Sequence, residues 1–180
     1  MSKDFKALLA AAKLPEQVVP LCLRGDLAAE VERLDAELEL LQRAPGTSLA
    51  GNGSGALVEQ IEALQEQMRE HTYPVRLRAL PRPEWNALRA LHPPRVGDDG
   101  ETLLEDRMSG VNRDSFFEPA IQASIIDPEI SAADWEQLNA TITDAQFQDL
   151  VSAVWTLNQG KVDVPFSRAV SRAKAGTDVE

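Results

Sequence analysis

The sequence predicts a mainly α-helical chain: an antiparallel helical hairpin with a short two-stranded β element at its base, followed by a compact C-terminal helical bundle. Three observations carry this. Leu27, Val31, Leu34, Leu38 and Leu41 recur at alternating steps of four and three, and Leu57, Ile61, Leu64 and Met68 do the same, the spacing of a coiled-coil seam. Two short apolar runs, 18–23 and 75–80, flank this pair and have strand character. Beyond Pro81, helical segments punctuated by proline, serine and threonine hold most of the aromatic residues. The chain accordingly divides into an N-terminal helix (1–17), a strand–hairpin–strand module (18–80) with a flexible tip at 45–55, a C-terminal helical domain (81–163) and a disordered tail (164–180).

Taken in order, Ser2 can cap a first helix that runs to Leu14, with Phe5, Leu8, Leu9 and Ala12 as its apolar stripe. Pro15 closes it. The run 18–23 is a strand, and Gly25-Asp26 turns the chain, with Asp26 placed to cap the next helix. That helix, 27–43, carries the first seam; Glu30, Glu32, Asp35, Glu37 and Glu39 crowd its other faces. Pro45 to Gly55 is rich in Gly, Ser and Asn and spans roughly 20 Å as a coil, enough for an antiparallel return. Each coil has only two to three heptads, which is marginal alone, so the pair needs support from the C-terminal region or from another chain. The run 75–80 is the second strand: Val75, Leu77 and Ala79 alternate with Arg76, Arg78 and Leu80. Pro81 and Pro83 stop it, and Glu84 to Leu91 follows as a helix with Trp85, Leu88 and Leu91 on one face. His92-Pro93-Pro94 ends that helix.

The acidic stretch 96–110 reads as a solvated loop; its acids do not have the spacing of a calcium loop. Asp114 to Ile126 is a helix capped by Asp114 or Ser115, with Pro119 near its first turn and Phe116, Phe117, Ala120, Ile121, Ser124 and Ile125 on its apolar side. Asp127-Pro128-Glu129 is a turn. Ser131 with Asp134, and Thr143 with Gln146, have the spacing of capping boxes and open two more helices, the first carrying Trp135 and Leu138, the second Phe147, Leu150, Val151, Val154 and Trp155. Gly160 is a fitting stop.

Composition narrows the function. A net charge of −11 argues against broad nucleic-acid binding and against an anionic membrane surface. No apolar run approaches the roughly 20 residues that span a bilayer, and the N-terminus lacks the long apolar core of a signal peptide. The single cysteine, Cys22, rules out an internal disulfide and lies in an apolar run where such a residue packs as a small hydrophobe. Two histidines and one cysteine do not make the usual four-ligand zinc site. Phosphate-loop, zinc-protease and serine-hydrolase motifs are missing from the sequence. The reading is a non-enzymatic protein without cofactor, whose chemistry is an interaction surface. Trp85, Leu88, Phe116, Phe117, Trp135, Phe147 and Trp155 are the candidate partner-binding residues: they pack a core, line a groove for an apolar helix of a partner, or divide between the two.

Several segments carry a resemblance: Val18-Val19-Pro20-Leu21-Cys22-Leu23-Arg24-Gly25-Asp26-Leu27 before an acidic coil; Arg78-Ala79-Leu80-Pro81-Arg82-Pro83-Glu84-Trp85 and Leu91-His92-Pro93-Pro94-Arg95; Asn112-Arg113-Asp114-Ser115-Phe116-Phe117-Glu118-Pro119-Ala120-Ile121 leading to Asp127-Pro128-Glu129; then Trp135-Glu136-Gln137-Leu138, Gln146-Phe147, Leu157-Asn158 and Val162-Asp163-Val164-Pro165-Phe166-Ser167. In this order, over about residues 18 to 167, the chain resembles the tail assembly chaperones of long-tailed (siphovirus-type) bacteriophages infecting actinobacteria. The resemblance implies a chaperone of the host bacterial cytoplasm that binds the tape measure protein and helps the tail tube protein polymerise around it. It also implies absence from the finished virion and brings no catalytic residues. The competing expectation is a structural or scaffold coiled-coil protein that stays in its assembly; self-association to a homo-oligomer is open under either.

Overall fold

The computed structural model describes residues 4–43 and 54–160, and 65% of them are helical. The remainder includes a small antiparallel sheet of three strands, where two were expected. The expected flexible tip lies outside the described residues except for Ser54 and Gly55, which open a helix; the tail 164–180 lies outside them entirely.

Helix α1 (Phe5–Ala10) is shorter than the sequence suggests and is capped by Asp4, whose carboxylate accepts from Lys6 N. Strand β1 (Glu16–Cys22) pairs antiparallel with β2 (Thr72–Arg78) over its full length. Leu23 N donates to His71 O and Ala79 N to Pro15 O, extending the ladder at both ends. These bonds put the odd-numbered residues of β1 in the hydrogen-bonded pairs. Pro20 and Pro74, which face each other, therefore fall in a pair that needs no N–H from either. The same alternation sends Val19, Leu21, Val75 and Leu77 into the core.

The third strand, β3 (Ile125–Asp127), pairs with β2 through Arg76 and Leu77, with a register shift between them. The sequence reading ran a helix through Ile125 and Ile126; the helix instead stops at Ser124, because β2 offers an unpaired edge there. The Asp127–Pro128 peptide bond is cis.

Helices α2 (Gly25–Arg43) and α3 (Ser54–Glu70) leave and rejoin the sheet at the same end and pack on each other. Leu27, Leu34 and Ile61 are buried, and Val31, Leu38, Leu41, Leu57, Leu64 and Met68 are partly so, so every residue of the two seams is withdrawn from solvent. Asp26 is not a cap. It lies in the first turn of α2 and binds the Arg24 guanidinium at 2.6 Å, and that hydrogen-bonded ion pair lowers its pKa to about 2.

Helices α4 (Arg82–Leu91), α6 (Arg113–Ser124), α7 (Ala132–Thr141) and α8 (Asp144–Gln159) follow the sheet, with α5 (Leu104–Ser109) between α4 and α6. Both expected capping boxes form, Ser131 with Asp134 and Thr143 with Gln146. Helix α6 is capped by Asn112, not by Asp114 or Ser115, so Pro119 falls in its second turn, where its ring leaves the Ser115 carbonyl without the usual helical donor. Helix α8 bridges the sheet. Gln146 Nε2 donates to Cys22 O at 2.8 Å near one end, and Asn158 Oδ1 accepts from Leu80 N at 2.9 Å near the other. One core results, drawing on both the 18–80 and 81–163 spans: Val19, Leu21, Val75 and Leu77 from the sheet meet Trp85, Phe116, Ile121, Trp135, Leu150 and Val154 from the helices and Val111 from the link between α5 and α6.

Candidate functional site

Burial separates the seven candidate partner-binding residues into two groups. Phe116 (0%), Trp135 (3%), Trp85 (4%) and Phe117 (6%) are closed off from solvent. Leu88, Phe147 and Trp155 are half-buried and pack against the same core. Four of the rings form one edge-to-face cluster: Trp85 lies 5.2 Å from Phe116 and 6.0 Å from Trp155, and Phe117 lies 5.3 Å from Phe116 and 6.0 Å from Trp155. Trp135 stands apart, its indole N–H donating to Glu118 Oε1 at 2.6 Å. The residue types best suited to grip an apolar helix are thus used here as core, and the exposed apolar surface lies elsewhere.

Two such surfaces were not foreseen. The first is on α5, in the stretch read as an acidic loop. This helix is turned inside out. Its Leu104 and Met108, one turn apart on a shared face, are 71% and 83% exposed, while its Asp106 is fully buried. A dense polar cluster fixes this orientation. Asp106 Oδ2 accepts from the Arg95 backbone N and from Nε, both at 2.8 Å; Oδ1 accepts from Arg95 Nη2 at 2.8 Å and from Arg113 N at 3.2 Å. Arg95 also reaches Asp114 and, at 3.7 Å, Glu105. The Arg95 guanidinium holds the Asp106 carboxyl well below the usual carboxylate range, and the backbone donors from Arg95 and Arg113 add to this. Leu103 N to Arg95 O and Asn112 N to His92 O tie α5 to the segment after α4; Leu91 (75%), at the end of α4, and Val96 (64%), in that segment, are also exposed. Gly110 ends α5 at φ +69°, and a Cβ there would stand 2.9 Å from Arg89 Nη2, so the sharp exit toward Val111 requires glycine. In the sequence, the signs of α5 were the acids of its first turn, Glu105 and Asp106, and Gly110 as its stop; the abundance of acids hid them.

The second surface is a groove of about 420 Å³ where the sheet outruns its helical cover. Helix α8 reaches the end of β1 at Cys22. Leu23 and Tyr73, the next residues on the core-facing side, are left 45% and 43% exposed. Helix α7 and the chain leading into it form the opposite wall with Ile130, Leu138 and Thr141, and the only charged residues lining the groove are Glu129 and Asp134.

Among the described residues no helix is long and apolar enough to cross a membrane. No protein-family model, curated protein or solved structure matches the chain.

Proposed function

We propose that this chain is a non-enzymatic assembly chaperone of a bacteriophage tail, acting in the host bacterial cytoplasm. In this reading it binds the apolar helical surface of the tape measure protein and helps the tail tube protein assemble around it. Helices α2 and α3 are then an antiparallel hairpin that braces a C-terminal helical bundle. The sequence resemblance over residues 18 to 167 supplies the partner class. The observation that carries the reading is the inverted α5, which buries Asp106 and leaves Leu104 and Met108 in water. Folding alone favours the opposite arrangement, since burying a carboxylate is costly and burying leucine and methionine is favourable. An outward apolar face held by buried ion pairing suits a surface that must meet an apolar partner. The acidic balance, −11 overall, keeps such a complex dispersed.

Co-expression with the tape measure protein tests this, with affinity capture followed by size exclusion and light scattering. The expected result is a soluble complex that Leu104→Glu/Met108→Glu abolishes while the circular dichroism and melting curve of the chain stay unchanged. A complex that survives this double substitution would reassign the contact; no complex with the unaltered chain would remove the reading.

A structural or scaffold component is the second reading, favoured by the bare apolar face of α1, which suits permanent contact with neighbours. Co-purification of the chain with finished particles distinguishes it from a chaperone, which leaves them.

A further inference from the structure

Among the described residues, the apolar side chains of helix α1 are left largely exposed. Phe5, Leu8 and Leu9 are 72%, 56% and 62% exposed, and no residue of the helix is buried. Isolated helices shorter than about 12–15 residues are marginal in water, so a helix of six needs a surface to lie on. The groove beside α7 has the matching chemistry. Its walls are apolar, and its two charged residues, Glu129 and Asp134, are both acids. Lys6 and Lys13, in α1 and just after it, are the only lysines among the described residues. An apolar arm that carries Lys6 and Lys13 against one acid, its cap Asp4, thus stands at one end of the sheet, and an acid-rimmed apolar groove at the other.

The arm is too short to lay Phe5, Leu8 and Leu9 together in the groove of its own chain. Pro15 is pinned to β2 by the bond from Ala79 N, and Ala11 and Ala12 remain bonded to the end of α1 through Ala7 O and Leu9 O. Only Lys13 and Leu14 are left as linker. At full stretch Leu9 then lies no more than about 15 Å from Pro15. Leu21 and Leu23 stand about 20 and 26 Å from Pro15 along β1.

We infer that the occupant is a second copy of this chain: α1 of each copy lies in the groove of the other, two arms exchanged about a two-fold axis. Phe5, Leu8 and Leu9 cover Leu23, Tyr73 and Leu138, and Lys6 meets Glu129 at the rim. One short helix covers far less than the roughly 800 Å² per partner of a standard interface, so the exchange is reversible and concentration-dependent. It is independent of the α5 surface.

Light scattering of the full chain over a range of concentrations tests this. The mass should climb from 19.7 kDa toward twice that value. Leu8→Glu/Leu9→Glu, which removes the arm, and Leu23→Glu, which blocks the groove, should each remain at 19.7 kDa. Mixing these two variants should restore association, because one arm and one groove remain intact. Lys6→Glu and Glu129→Lys should each weaken the dimer and together restore it; this pair lies on the surface and carries the test if Leu23→Glu unfolds. The inference fails if the unaltered chain stays at 19.7 kDa, if the arm variant still doubles, or if neither the mixture nor the charge exchange restores association. A monomeric chain that binds phosphatidylglycerol vesicles through α1 would also overturn it and assign the arm to a membrane surface.

Discussion

Asp106 is the residue on which the C-terminal half depends most. It accepts four hydrogen bonds from Arg95 and Arg113 while wholly buried. Asp106→Asn keeps one acceptor oxygen but turns an NH2 group toward donors of Arg95 or Arg113, and it leaves the Arg95 guanidinium with only Asp114 and Glu105 as acidic partners. Asp106→Asn should lower the melting temperature at neutral pH by on the order of 10 °C in a calorimetric scan. The pH dependence has a definite sign. The folded carboxyl sits below its ordinary value of 3.8, so the stability it contributes is complete above that pH and fades as pH falls through it. Acid titration of unfolding should therefore show a steep loss below pH 3.8 that Asp106→Asn flattens. Gly110 is a simpler case. Its φ of +69° and the nearby Arg89 guanidinium mean that Gly110→Ala should cost about 1 kcal/mol or more in denaturant unfolding, with the slope unchanged.

At the scale of elements, packing decides which helices are secure. Helices α2 and α3 pack on each other, and substitutions should read out which faces meet. Leu34→Ala and Ile61→Ala, both at buried positions, should each cost about 2–4 kcal/mol. Leu40→Ala, at a 69% exposed position on the same helix as Leu34, should stay within about 0.5 kcal/mol. Equal losses at Leu34 and Leu40 would mean that the seam faces another way. Helix α6 tolerates Pro119 in its second turn because Phe116, Phe117, Ala120 and Ile121 around it are all buried, and that packing outweighs one missing backbone bond. The strand β3 exists only as a partner to β2. Three residues are too few to hold an extended conformation alone.

For the whole molecule, the core is continuous from the sheet to the C-terminal helices, so unfolding should be a single cooperative transition. Tryptophan fluorescence, which reports Trp85, Trp135 and Trp155, and far-ultraviolet circular dichroism, dominated by the helices, should give superimposable denaturant curves. Separate midpoints would show that α2 and α3 melt independently of the rest. Exposed apolar surface remains among the described residues at α5, at α1 and at Leu23 and Tyr73 in the groove beside α7.

The sequence by itself determined whatever depends on local spacing. The seam residues of α2 and α3, the alternation of β1 and β2, and the capping boxes of α7 and α8 were legible because periodicity and cap chemistry act over a few residues. Tertiary structure alone decided the rest. It made β3 a strand by offering β2's edge, used Trp85, Phe116, Phe117 and Trp135 as core, left Leu23 and Tyr73 uncovered where α8 begins, and turned α5 outward by joining Asp106 to Arg95, eleven residues away. Which face of a short helix meets water depends on partners distant in sequence, and neither composition nor spacing records where those partners fold.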